Sequence, residues 1–403
     1  MKKALLVSAA LAALAGPALA QDDVTLVISN SQWLDALRGE KLWAAIKAYE
    51  EVAPNVTLEQ SAIPSKDYAD RIMTEFGAGQ GPDLAIMQEG VFYSLADAGF
   101  LVDVGEVAAS ADMNGTIDNA VIDGATLGIP WQRAVYALIY NKELLDAAGA
   151  SVPTDIDGLI AAGQAVEDQG VIGFTSRHQI SDFTGWFMDF QNWAYGYGVD
   201  WVDDEGNLTL NTPEAVEAVA AFKKVYDSGI IPVGDDMPTQ RTRFKENQVG
   251  MSIDNSGGTL NIASGGALQS ANLGAAPLPF PNPGAHQQIF ISISEHSDHP
   301  EEAAAFLTWL VSPEGQTRLR EASGPDALAT DVAVTEEFAA TNPWAPEFAE
   351  LAQNSRSTLI PGYEVETGQI MRSVMEAVEE VLIRGTEPSE ALATAQGKVE
   401  RMF

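Results

Sequence analysis

The run from 127 to 141, LGIPWQRAVYALIYN, constrains this chain most. Its β-branched and aromatic residues predict a long extended segment, interrupted by Pro130 and feeding a helix from Lys142. Strand-like and helix-like stretches alternate before it, and the alternation restarts after it. The run therefore predicts a strand crossing from one domain to a second. At 403 residues the chain is long enough for two domains, each with its own core.

Before the crossing, residues 24–28 form a buried strand ending in the polar loop Ser29-Asn30-Ser31-Gln32. A helix follows, with Leu42, Trp43, Ile46 and Tyr49 on one face. A strand at 55–59 and a helix at 68–76 lead to a third strand at 83–87, with Gln88 and Glu89 at its carboxyl end. After the crossing come a helix at 156–166, a strand at 171–174 and an aromatic-rich helix at 182–195. A hairpin is predicted at 201–210, and Thr212-Pro213-Glu214 caps the next helix. Strands at 250–254, 273–278 and 288–294 precede a helix at 300–311, for which Ser297 or Asp298 is the predicted cap. The last helix predicted buries Ile370, Val374, Ala377, Val378 and Val381. This alternation defines an α/β protein with largely parallel sheets.

The charge excludes some partners. Against 57 Asp and Glu stand only 22 Lys and Arg, a formal charge of −35. Phosphate backbones and anionic lipid surfaces repel such a chain, so no nucleic-acid or membrane-surface partner is expected. The first twenty residues are an export signal: Met1-Lys2-Lys3 is positive, 4–15 is apolar, and Ala18-Leu19-Ala20 is a cleavage site. With no cysteine the exported chain has no disulfide and no cysteine-linked lipid, which predicts a free periplasmic protein.

Signatures of catalysis are absent: no G-x-S-x-G, H-E-x-x-H, P-loop or dinucleotide fingerprint occurs. Four histidines and no cysteine make a dedicated transition-metal site improbable, and neither metal nor cofactor is expected. A pair of carboxylates could still support glycoside hydrolysis, so a secreted carbohydrate-active enzyme is the alternative from another class. The tryptophans are more informative. Trp33, Trp131, Trp186 and Trp193 fall at or beside predicted loops and helix starts, and aromatic faces stack on the C–H faces of sugar rings. Trp131-Gln132-Arg133 places such a face beside planar hydrogen-bonding groups. Core packing is the competing reading for each tryptophan. Arg133 could clamp an anionic ligand or pair with a carboxylate of the chain itself. Glu89 lies at a strand carboxyl end, where ligands of open α/β sheets bind.

Gly81-Pro82-Asp83, Gly128-Ile129-Pro130, the run 138–145, Asn211-Thr212-Pro213-Glu214-Ala215, Phe244-Lys245-Glu246-Asn247 and Ser312-Pro313-Glu314-Gly315 occur in a specific order and spacing. Together they resemble the family 1 extracellular solute-binding proteins of ABC importers, the maltose-binding-protein-like group. The resemblance implies a two-lobe periplasmic-binding-protein fold of type II, each lobe a mainly parallel sheet flanked by helices. It divides the chain into 21–130 plus about 286–325, and 131–285 plus about 326–403. It implies capture of a small carbohydrate, glycoside or polyol by hinge closure, a monomer, and permease subunits in the inner membrane as partners. An anionic polyol held by Arg133, with Arg241 or Arg356, is the alternative ligand on the same scaffold.

Carried over by position, Asn30, Ser31, Gln32, Trp33 and Glu89 would line the first lobe, with Trp131, Gln132 and Arg133 at the crossover. His178, Asp182, Trp186, Asn255, Ser256 and Gly257 would line the second lobe, and Tyr363 would close the far side. Gly257 stands where maltose-type binders commonly carry an aromatic platform, which favours a short ligand over a linear malto-oligosaccharide.

Overall fold

The structure is a computed structural model describing residues 23–35 and 38–403; the export signal read in residues 1–20 lies outside the described residues. The first strand, β1 (Val24–Asn30), runs parallel to β2 (Val56–Ala62) and β3 (Leu84–Gln88). Helices α1 (Arg38–Lys47), α2 (Ser65–Gly77) and α3 (Glu89–Asp97) connect and cover them. Because side chains alternate across a strand, Leu84 and Ile86 pack on one face of β3 and Ala85 and Met87 on the other. Both faces are buried, as a parallel sheet requires.

The predicted crossing is a single strand, β4 (Ile129–Asn141). It is followed by α4 (Ile156–Glu167), β5 (Ile172–Thr175), α5 (Phe183–Gly196), α6 (Pro213–Asp227) and α7 (Met237–Lys245). Strand β6 (Val249–Asn255) leads into α8 (Ser256–Ala263), then β7 (Leu273–Ala276) and β8 (Ala285–Ile293). The chain closes with α9 (Pro300–Leu310), α10 (Pro313–Ser323), the short β9 (Arg356–Ser357), α11 (Thr367–Arg384) and α12 (Pro388–Val399). Strand order is β2-β1-β3-β8-β4-β6-β5, with β9 beside β8 and β7 beside β4.

β4 changes partner part-way along. Ile129 to Val135 pair antiparallel with β8, and Tyr136 to Tyr140 with β6. Its side chains follow suit: Ile129 and Trp131 pack with β1, α1 and α9, whereas Tyr136 and Leu138 pack with α5, α6 and α11. The molecule is thus two α/β lobes sharing this strand. The β4–β8 register slips between Ile289 and Phe290, which face Gln132 and Pro130, so Trp131 is a bulge residue. Pro130, which has no N–H for a ladder, is tolerated at that break.

One local reading needs correction. Helix α9 is not capped by Ser297 or Asp298. Its N-cap is His299, without a side-chain bond, while the Ser297 hydroxyl donates to Asp83 and accepts from the His299 amide. The 201–210 hairpin is present as a minimal one: Val202 bridges Leu208 antiparallel, Asp203 N donates to Asn207 O and Thr209 N to Trp201 O, and Gly206 takes a left-handed backbone at the turn that the Asp203 carboxylate braces. Helix α12 follows Gly385, whose left-handed backbone ends α11 and starts a second, antiparallel-packing segment not anticipated from the sequence.

Candidate functional site

The carboxyl ends of β1, β3 and β6 and the bulge of β4 converge on the junction of the lobes. Asn30 caps the one-turn helix Ser31–Leu34, its side-chain oxygen accepting from the Gln32 amide at 2.9 Å. This cap turns the Gln32 side chain toward the crossover. Gln32 Nε2 donates to Gln132 Oε1 at 2.8 Å, and Gln32 Oε1 accepts from Trp131 Nε1 at 3.0 Å. Gln132, only 1% exposed, also donates to the Ser323 hydroxyl at 2.8 Å and accepts from Arg38 Nη2 at 3.2 Å. Arg38 pairs in turn with Asp326 at 2.9 Å, and Asp326 accepts from the Ser256 hydroxyl at the start of α8. A continuous hydrogen-bonded path thus runs from the first-lobe loop, through the crossover, to a second-lobe helix.

Most sequence-predicted residues fall on or beside this path. Ser31 lies in the same one-turn helix and is half-buried. Trp33 packs edge-on to Trp131 and Trp43 and donates to Ile28 O, which makes it a support for the path. Trp131 is fully buried, so its ring packs in the first-lobe core and only its N–H takes part. Asn255 caps α8 by accepting from Gly258 N at 2.8 Å. A Cβ on Gly257 would lie 3.2 Å from Arg38 Nη1, so the guanidinium rests against the first turn of α8 and would have to give by a few tenths of an ångström to admit a side chain there.

Arg133 is half-buried beside the path. Its Nε and Nη2 donate to the neutral Gln288 Oε1 at 2.9 and 2.8 Å, and Glu89 and Asp118 act on it through space only. The other two candidate clamps are committed internally. Arg241 makes a two-pronged pair with Asp254 at 2.8 and 2.6 Å, and Arg356 stacks on Tyr195 and pairs with Asp200.

The structure does not bring the remaining candidates to this path. Trp186 is 1% exposed and packs against Phe222 in the second-lobe core. Four turns of aromatic residues on α5 need covering, and burial outweighs display. Tyr363 donates to Gly206 O and meets Phe403. His178 is buried, its ring bonded to Ser176 O and Gly234 N, and Asp182 contacts Arg177. Both belong to a separate pocket beyond β5. Arg38, Ser323 and Asp326 were missed by sequence reasoning. Arg38 and Asp326 are 288 positions apart, and no local pattern announces their pairing.

Glu89, at the start of α3, is buried and turned inward. Its carboxylate accepts from the hydroxyls of Ser357 at 2.7 Å and Thr358 at 2.9 Å, tying the first lobe to the segment around β9. Burial pushes its pKa up from 4.5 to about 7, against the lowering pull of those bonds. The folded state then holds the proton more tightly than the unfolded chain. Its stabilising contribution is complete below about pH 4.5 and is lost as pH rises through 7, a change of roughly 3 kcal/mol. In Glu89→Gln, stability measured by denaturant titration from pH 4.5 to 8 should fall less with rising pH than in the parent chain. An identical slope would contradict this placement.

Two sheeted lobes joined by a shared strand, with polar groups gathered at strand carboxyl ends on the junction, form the two-lobe architecture of periplasmic-binding-type α/β proteins. The sequence matches the family model for bacterial extracellular solute-binding protein over residues 35–317, and the chain belongs to that family. A Deinococcus radiodurans protein described as a probable ABC transporter-binding protein is 22% identical over 310 residues, 71% of each chain. Among solved structures, the GacH receptor of Streptomyces glaucescens, determined unliganded and with acarbose, superposes with TM-score 0.82 at 20% identity. That match covers 94% of this chain and 98% of that one. An ABC transporter solute-binding protein of Agrobacterium radiobacter K84, in complex with ribitol, gives 0.76 at 21%, covering 95% and 99%.

Proposed function

We propose that this chain is the exported binding subunit of an ABC importer that captures a small carbohydrate, glycoside or polyol between its lobes. The supporting observation is the path Gln32–Gln132–Arg38–Asp326–Ser256, which brings planar amide, guanidinium and carboxylate groups from both lobes to one junction. Such groups match the paired donors and acceptors of sugar hydroxyls. Only a ligand touching both lobes favours the closed form over the open one, and closure is what tells a permease that cargo is loaded. The residues that would line the cleft are the partly exposed ones on and beside this path, Ser31, Gln32, Arg38, Arg133, Asn255 and Gly257, with the lobes divided near 130, 286 and 326. The chain acts as a periplasmic monomer, binds without turnover, and releases its ligand to permease subunits.

A second reading is favoured by Arg133 alone, whose charge rests on a neutral amide. An anionic polyol would give it a partner. Titration calorimetry with ribitol, maltose and glycerol 3-phosphate distinguishes the two. On the neutral-ligand reading, Arg133→Ala weakens binding of the neutral compound by no more than about tenfold, about 1.4 kcal/mol. If only the phosphate binds, and Arg133→Ala abolishes it, the neutral assignment falls. Stoichiometric release of reducing sugar from a bound glycoside would refute binding without turnover.

A further inference from the structure

Glu89 makes a second contact between the lobes, besides the Gln32–Ser256 path. It starts α3 in the first lobe, and its carboxylate accepts from the hydroxyls of Ser357 at 2.7 Å and Thr358 at 2.9 Å. Those two residues are anchored in the second lobe. Tyr195 of α5 donates to Ser357 O at 2.9 Å, Gln191 donates to Thr358 O at 2.8 Å, and Ile360 packs in the second-lobe core. Glu89 is 3% exposed and Thr358 fully buried, so the contact is closed to bulk water.

Among the described residues no cation touches this carboxylate. The main-chain amide of Gln288 on β8 is its third donor. Arg133 on β4 pulls on it through space, with its own fork committed to Gln288 Oε1. Tyr93 on α3 and Tyr195 on α5 also face it, and burial pushes both phenols up, so they stay neutral. His286 on β8 is kept neutral by burial and by Arg133. A buried carboxyl held by two hydroxyls and one amide is costly as an anion and far less so as a neutral acid. The neutral acid fits the same geometry. Ser357 Oγ, which accepts from Leu359 N at 3.0 Å, has a second lone pair for the carboxyl proton.

We propose that Glu89 is a proton-dependent clasp between the lobes: as the neutral acid it holds the Ser357–Thr358 segment, and when the lobes part it is hydrated and gives its proton to the solvent. From the solute-binding reading this takes only that the lobes move. The sign follows from the two environments. Hydrated, the carboxyl keeps its ordinary value of 4.5; clasped, burial raises it to about 7. Below the first value both forms hold the proton, and above the second neither does. Between them the clasped form holds a proton that the parted form lacks, so rising pH favours parting by up to about tenfold per pH unit.

The test is the distance between the lobes in the ligand-free exported chain. The chain has no cysteine, so Asp67→Cys and Val233→Cys take spin labels at unique places. Both positions are exposed, Asp67 in α2 after β2 and Val233 in the loop bonded to His178 after β5. β2 and β5 end the strand order on either side of the shared β4, so parting of the lobes separates these positions most. Distance distributions from pulsed electron resonance at about pH 5 and about pH 8 should show the ratio of short to long separations falling at least about tenfold as pH rises. In Glu89→Gln, which exchanges no proton, the ratio should not change with pH. Thr358→Val keeps the carboxyl and removes one of its donors, so it should shift the ratio toward long separations at both pH values, even if Glu89→Gln does not fold. The same parent distribution at both pH values, an equal pH response in Glu89→Gln, or an unchanged ratio in Thr358→Val would overturn the clasp. The solute-binding reading would stand in each case, because no ligand takes part in the measurement.

Discussion

Arg38→Ala is expected to destabilise the protein by about 3–5 kcal/mol, the range for removing one partner of a buried ion pair. Asp326 is 1% exposed, and its carboxylate rests on Arg38 and the Ser256 hydroxyl. Without the guanidinium, the buried charge would keep only the Ser256 hydroxyl and the through-space pull of Arg320, and Gln132 would lose a donor. The sign with pH follows. Burial already raises the Asp326 pKa, while Arg38 opposes that rise. In the variant the carboxyl protonates more readily, so the deficit should be larger at pH 8 than at pH 5. Adding Asp326→Asn should recover part of the loss at pH 8, because the orphaned charge is gone. Denaturant titrations at both pH values measure this, and a single variant within about 1 kcal/mol of the parent chain at pH 8 would contradict it.

Trp131→Ala should cost a similar amount, about 3–5 kcal/mol, for a different reason. The ring is fully buried on the bulge of β4 and packs edge-on to Trp33, so truncation leaves a cavity in the first-lobe core. It also removes the N–H that orients Gln32. Trp131→Phe retains most of the packing and loses the donor, so its cost should be smaller, with Gln32 still held by Asn30 and Gln132. Equilibrium unfolding resolves the two terms. If Trp131→Ala and Trp131→Phe cost the same, packing is not the main role of this residue.

The fold was largely legible because its signals are local. The extended run at 127–141 stands out by composition alone and becomes β4, and Thr212 caps the helix it precedes; helix α8 and its Asn255 cap were not anticipated. Asn30 and Gln32 were placed only through the family resemblance, as the polar loop that closes β1. Trp186 could not be placed, because a tryptophan at a helix start looks the same whether it faces a core or a cleft. The decisive contacts were illegible for a physical reason. Arg38 meets Asp326, and Glu89 meets Ser357 and Thr358, only because the chain returns across the junction. No spacing in the sequence encodes such a return. Gly257 shows the converse: its missing side chain was visible from the start, but that Arg38 rests against it was not.

Binding by the unliganded exported chain is the central claim, and thermal unfolding against neutral sugars, polyols, sugar phosphates and sulfonates tests it most directly. A ligand that binds only the folded state stabilises it by about 2.7 kcal/mol at one hundred times Kd. The prediction is a saturable rise in melting temperature with a neutral sugar or polyol, recovered chemically unchanged. No rise with any member of the series would contradict the carbohydrate assignment.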